Sequence, residues 1–254
     1  MEKKLIQKSF NIRKKIIFLS NTRNSAHLGS CLSCVEILVA ILGSYKKVYS
    51  KLVVSKGHAA MAFYAALNEF NFISKKNFNT YLKNGSELWG HITKSKKKDF
   101  FDFSFGALGY GPGISAGISY ALKEKNKKHK VYCLVSDGEL NEGTIWESLM
   151  FIAHHNLKNI IIFIDNNKIQ SFGFTKDVLN LGNLKNKFNS FGFSTFACNG
   201  HSIKEISNLI NLKTGKPKII ICNTVKGKGL KRIENTILSH YKPALEEDLE
   251  LYEK

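Results

Sequence analysis

Val131-Tyr132-Cys133-Leu134-Val135-Ser136-Asp137-Gly138 and Ile160-Ile161-Ile162-Phe163-Ile164-Asp165-Asn166-Asn167 share one plan: a short hydrophobic run passes straight into a polar, acid-bearing turn. A run that is apolar at every position suits a central strand covered on both faces, although periodicity alone leaves a buried helix fragment as the other reading. Working outward, similar short runs at 52–55, 193–197 and 219–222 alternate with segments of helical period at 35–42, 59–70, 114–122, 145–154 and 203–212. This alternation predicts an α/β fold, a mostly parallel sheet with helices on both faces. Ligands on such sheets bind beyond the carboxyl ends of the strands, so the turns after these runs are where function is expected.

The 254 residues are 43% hydrophobic, enough for one large domain, and no repeat, low-complexity tract or linker divides them; residues 1–254 are read as a single unit. The formal charge of +18 raises the question of a nucleic acid or membrane surface. The lysines, however, lie in short scattered runs such as Lys96-Lys97-Lys98 and Lys127-Lys128, without aromatic interleaving or a nucleic-acid motif. They predict a solvated basic surface that attracts small anions, with no nucleic-acid partner. The apolar runs fall far short of a membrane span, and the lysines among Leu5, Ile6, Phe10 and Ile12 break up any secretory apolar region. Of the five cysteines, Cys133, Cys198 and Cys222 fall in or beside strands, as small hydrophobes do, which favours a reducing, cytoplasmic location. Cys31 and Cys34 form a C-x-x-C with no second pair; it is read as packing at a helix start, with a redox or zinc role as the alternative.

An Asp at the end of one strand and an Asn amide oxygen at the end of the next supply two hard ligands about 4.8 Å apart, which suits a Mg²⁺ that keeps its other positions for phosphate, carbonyl and water. Gly138 lets the backbone approach a diphosphate, and a helix starting near Glu142 aims its N-terminus at the anion. Taken singly, each turn is common.

Taken together, Asp137-Gly138 and Asn167 resemble the G-D-G…N-N signature of thiamine-diphosphate enzymes, with Ser136 in place of the first Gly. The resemblance implies that Asp137, Asn167 and the main-chain carbonyl of Ile169 hold Mg²⁺ or another divalent cation such as Ca²⁺ or Mn²⁺. Further segments resemble transketolase in order and spacing: Ser25-Ala26-His27-Leu28-Gly29, Ser55-Lys56-Gly57-His58-Ala59, Gly90-His91, Gly106-Ala107-Leu108-Gly109-Tyr110-Gly111, and Lys226-Gly227-Lys228-Gly229 with Glu234-Asn235 and His240. By that resemblance His27, His58, His91 and His240 converge on the cofactor and the reacting carbons, bonding substrate hydroxyls and moving protons. Histidine suits this because small shifts carry its pKa across neutrality. The cofactor itself is implied to meet His58, His240, Gly106, Leu108, Asp137, Gly138, Glu139 and Asn167, with Gly106 at the aminopyrimidine and Leu108 supporting its bent shape. Glu142 resembles an acid near the dimer axis, though the helix dipole alone also favours an acid there. Ala107 and Tyr110 replace the family's Pro and Gln. His129, His154 and His155 match no motif, and His201 sits in a loop resembling D-G-H-D without its acids, so all four stay outside the expected site.

The family continues with a pyrimidine-binding domain that carries the activating Glu. The resemblance therefore implies a partner, a C-terminal transketolase subunit, in an α2β2 heterotetramer. The expected function is that of an N-terminal transketolase subunit moving a two-carbon ketol unit between a ketose and an aldose, as sugar phosphates. Another thiamine-diphosphate carboligase or 2-oxo-acid decarboxylase is the alternative within the family; a non-catalytic cofactor-binding subunit is the alternative outside it. Four motif histidines favour polyhydroxylated sugars, and retained site residues weigh against a purely structural role.

Overall fold

A computed structural model describes residues 2–45, 50–94 and 102–253; the basic run Lys96-Lys97-Lys98 lies outside them. Helices α1 (Glu2–Thr22), α2 (Leu28–Ser33) and α3 (Val35–Ser44) precede strand β1 (Ser50–Val54), which leads through a 3₁₀ turn at Gly57–Ala59 into α4 (Ala60–Glu69). A single helical turn, α5 (Lys75–Phe78), comes next, and then α6 (Tyr110–Glu124) feeds β2 (Lys130–Ser136) while α7 (Gly143–His154) feeds β3 (Ile160–Asn166). The short α8 (Thr175–Val178) and α9 (Leu184–Ser190) lead to β4 (Ser194–Asn199), α10 (Ile203–Asn211) leads to β5 (Lys218–Asn223), and α11 (Glu246–Glu253) follows.

The five strands form one sheet in the order β1-β2-β3-β5-β4, and every neighbouring pair is parallel. Burial from Val131 to Ser136 in β2 and from Ile160 to Asp165 in β3 matches runs that lack alternation, since both sheet faces are covered. On one side α6 packs on α7 and against β1, β2 and β3; on the other, α1, α3, α4 and α10 pack together, with α10 against β4 and β5. Helix α1 owes its place to Ile12, Ile16 and Leu19, spaced to share one face and all buried, while its lysines stay outside. No helix among the described residues is long and apolar enough to cross a membrane.

Register is what positions the chemistry. Ser136 pairs with Asp165, and Asp137 N–H donates to the Asp165 carbonyl at 3.2 Å, so the turns after β2 and β3 emerge side by side at one sheet edge. The expectation of solvated lysines needs one correction: Lys56, Lys218 and Lys226 are buried. Each has oxygen partners that offset the cost of desolvation. Lys218 Nζ, for example, donates to the carbonyls of Leu209 (2.6 Å) and Leu212 (2.5 Å), closing the C-terminal end of α10.

Candidate active site

Beyond the ends of β1, β2 and β3 lies a cavity of about 310 Å³. Every residue expected in the site lines it: His27, His58, His91 and His240 on one side, Gly106 and Leu108 on the next loop, and Asp137, Gly138, Glu139, Glu142, Asn167 and Ile169 at the strand ends. A larger, more open cleft of about 920 Å³ lies beyond β3, β5 and β4. It shares only Asn167 and Ile169 with the first cavity and contains none of the four motif histidines, so the smaller cavity is the better candidate for chemistry.

The histidines come from four separate loops yet form one cluster. The His27 ring centroid lies 4.8 Å from that of His240, 5.4 Å from His91 and 5.6 Å from His58. His27 takes the left-handed conformation (φ 66°), and its N–H donates to the His240 carbonyl at 2.8 Å, which locks the two loops together. Gly57 lets His58 into the cluster: a Cβ there would stand 2.3 Å from the Phe105 carbonyl oxygen. Burial first, then the neighbouring His91 and Lys226, depresses His27 to about 4; burial first, then Lys226 and His27, depresses His240 to about 3. Burial also pushes His58 well below its ordinary value and lowers His91. At neutral pH the cluster is therefore uncharged, each ring holding one donor and one acceptor nitrogen.

At the other end of the cavity are the oxygen ligands. Asp137 accepts main-chain N–H bonds from Gly138 (2.8 Å) and Lys168 (2.5 Å), but burial, with the Asp165 carboxylate next, still pushes it up to about 6. Asn167 Oδ1 accepts from Ile169 N–H at 3.1 Å while its Nδ2 donates to Asp165 at 3.3 Å, so Asp165 fixes which way the amide faces. Asp165 is itself fully buried and held by Lys56, Ser33 and Thr224, with Lys56 Nζ also donating to the Ser30 carbonyl at 3.0 Å. Burial works against both charges, yet the pair wins: Lys56 is raised and Asp165 lowered.

Glu139 lines the cavity but spends its carboxylate on the scaffold, accepting from Ser55 Oγ, Gly109 N–H (2.8 Å) and Ser136 N–H (3.2 Å). It thereby ties the Gly106–Leu108 loop to the end of β2. At Gly106 a Cβ would meet nothing within 4 Å, so this backbone faces open cavity. Glu142 is exposed at the start of α7 and caps nothing with its side chain.

Lys226, Asn141 and Gln170 are among the lining residues that the sequence alone did not assign to the site. Lys226 opens the K-G-K-G segment; only 1% exposed, it lays Nζ on the carbonyls of Ile169 (2.9 Å) and Gln170 (3.3 Å). Burial, then the positive charge of Lys56, lowers it to about 8. Asn141 Oδ1 and Gln170 Nε2 are buried without a hydrogen-bond partner, as is His240 Nδ1. Three orphaned polar atoms around one cavity are what a polar ligand would satisfy. The donor set also fits a hard divalent cation: one carboxylate, one amide oxygen and one carbonyl, leaving positions for phosphate and water. Among the described residues no group of three or more His, Cys, Asp and Glu is placed to hold a metal, so a cation here depends on the Asn and main-chain oxygens.

Outside the cavity, His154 and His155 pack at the end of α7, His155 beside Tyr120 and Phe151. Cys31 and Cys34 are buried free thiols that burial pushes up to about 11 and about 12, the protonated state of packing residues.

Residues 20–254 match the family described as "Transketolase, thiamine diphosphate binding domain". The chain is 35% identical over 262 aligned positions to an apulose-4-phosphate transketolase subunit of Actinobacillus succinogenes, covering 97% of this chain and 94% of that one. It is 32% identical to a 6-deoxy-6-sulfo-D-fructose transketolase subunit of a Clostridium species, covering 87% and 84%. Among solved structures, transketolase from Campylobacter jejuni superposes with a TM-score of 0.84 at 26% identity, covering 98% of this chain but only 42% of that one. With its fold, its motifs and nearly its whole length accounted for in this way, the chain belongs to the transketolase family, as a thiamine diphosphate binding domain.

Proposed function

We propose that this chain is the N-terminal, diphosphate-binding subunit of a two-chain transketolase, acting on phosphorylated sugars in the cytoplasm. The observation that carries the reading is the convergence, in one cavity, of four clustered histidines, three orphaned polar atoms and a carboxylate, amide and carbonyl set of oxygens. Bound thiamine diphosphate supplies a nucleophilic carbon and an electron sink for carbon–carbon cleavage. Asp137, Asn167 and the Ile169 carbonyl would hold Mg²⁺, or Ca²⁺ or Mn²⁺ in its place, for the diphosphate, and Lys226, whose Nζ shares the Ile169 carbonyl, would add positive charge there. The open space at Gly106 would take the aminopyrimidine, and Leu108, which also lines the cavity, would support the bent shape of the cofactor. His27, His58, His91 and His240, held neutral, accept from and donate to sugar hydroxyls and pass protons at the reacting carbons.

Apolar side chains at the rim support a partner. Phe172, which lines the cavity, is 83% exposed, and Leu238, Tyr241, Trp89 and Tyr110 are exposed within two residues of His240, His91 or Leu108. Such a collar suits a second polypeptide that closes the site, here a C-terminal subunit carrying the pyrimidine-binding domain, with Glu142 at the axis of an α2β2 assembly. The names of the subunit relatives support the same division of labour.

The test is ketol transfer from a ketose phosphate to an aldose phosphate by the chain alone and mixed with a C-terminal subunit, with thiamine diphosphate and Mg²⁺. Transfer only in the mixture, abolished by Asp137→Ala, is expected. Cofactor binding without transfer would instead favour a different thiamine-diphosphate reaction.

A further inference from the structure

His201 does not reach the histidine cavity, yet both of its ring nitrogens are engaged. Nε2 accepts the Val225 N–H at 2.9 Å and Nδ1 lies 2.9 Å from Glu36 Oε2, which fixes the ring as the tautomer protonated on Nδ1. Glu36, buried on α3, also takes a two-point fork from Arg13 of α1, at 2.5 and 2.8 Å. Burial works to raise the Glu36 carboxyl, but the hydrogen bonds from His201 and Arg13 hold it down at about 2. Arg13 Nε then donates to the Lys228 carbonyl at 3.1 Å.

One buried carboxylate thus joins two clamps, one on the N–H of Val225 and one on the carbonyl of Lys228. Between the clamps lies Lys226, the ammonium that enters the cavity. Gly227, at φ 81°, makes the turn there, and a Cβ on it would stand 2.7 Å from the Ile233 carbonyl oxygen. A buried charged network is weak evidence for stability, because desolvation opposes it; what it can fix is geometry. We propose that Arg13, Glu36 and His201 are positioning residues that hold the 225–228 turn so that the Lys226 ammonium faces the anionic end of the cofactor. The identity of that ligand rests on the function proposed above; the clamp on Lys226 does not.

The test uses the full chain with Mg²⁺ and two variants, His201→Phe and His201→Gln. Their site is partly exposed, so folding should survive, and circular dichroism would verify it. Acylation of Lys226, followed by peptide mass spectrometry against Lys228, reports whether the ammonium has left its place. Calorimetric affinities for thiamine diphosphate and for thiamine report whether the diphosphate grip is lost. In His201→Phe, Lys226 should label faster and thiamine diphosphate should bind about 10- to 100-fold more weakly, the span for losing a hydrogen bond to a charged group, while thiamine is little affected. His201→Gln, whose amide oxygen can accept from Val225, should restore both. Unchanged labelling and affinity in His201→Phe, or an equal loss for thiamine and its diphosphate, would overturn the proposal. If the unaltered chain binds no thiamine diphosphate, alone or with a C-terminal subunit, while Lys226 labelling still responds to His201→Phe, the clamp stands and the cofactor reading falls.

Discussion

Lys56→Met would break the buried ion pair beneath the oxygen ligands. Both partners are fully buried, and without the ammonium Asp165 keeps only neutral donors: Ser33 Oγ at 2.6 Å, Thr224 Oγ1 and Asn167 Nδ2 at 3.3 Å. Removing one member of such a pair costs about 3–5 kcal/mol, because the other charge stays buried without its counterion. Asp165→Asn, which strands the ammonium instead, should cost a similar amount. The double variant Lys56→Met/Asp165→Asn buries no charge and should lose only about 1–2 kcal/mol, chiefly the hydrogen bonds to Ser30 and Asn167. The coupling between the two sites is then several kcal/mol, far outside the error of additivity for independent positions. Urea unfolding of the full chain, followed by tryptophan fluorescence with the denaturant slope checked for constancy, measures all four corners of the cycle. A loss below about 1 kcal/mol for Lys56→Met, or a double variant that loses the sum of the singles, would refute the reasoning from desolvation.

Other outcomes follow from the same geometry. Gly57→Ala places a Cβ 2.3 Å from the Phe105 carbonyl oxygen, so backbone must move; a loss of about 1–3 kcal/mol in urea unfolding is expected, with cofactor affinity reduced as His58 shifts. Gly106→Ala meets nothing within 4 Å and should leave unfolding unchanged while weakening cofactor binding measured by calorimetry; a stability loss with normal binding would contradict the open-cavity placement. His27 and His240 have folded pKa values depressed to about 4 and about 3, against about 6.5 when unfolded, so unfolding takes up protons below about pH 6.5. Stability should therefore be full above about pH 6.5 and decline as pH falls toward about 4, and His27→Gln should flatten part of that decline in urea midpoints taken across the range.

The sheet was legible because residues 131–135 of β2 and 160–164 of β3 are hydrophobic without alternation, a pattern with few uses outside a covered parallel strand. The ends of these strands carried the site for the same reason, since parallel register brings Asp137 and Asn167 to one edge. Side chains whose partners lie far away in sequence were harder to read. Lys56 and Lys226 fall inside segments that match the family, but only the fold shows them buried, with Asp165 and the Ile169 carbonyl beside them. His201, lacking the acids its loop resembles, finds one in Glu36, 165 residues away on α3. Gln170 and Asn141 follow shortly after Asn167 and Gly138, but only the fold shows Gln170 Nε2 and Asn141 Oδ1 to be buried and unpaired.

The central claim is that this cavity holds thiamine diphosphate through Asp137 and Asn167. Calorimetric titration of the cofactor with Mg²⁺ into the chain, with and without a C-terminal subunit, tests it most directly. Saturable binding of one cofactor per chain, lost in Asp137→Ala while the fold is retained, is the predicted result; no binding in either setting would contradict the account.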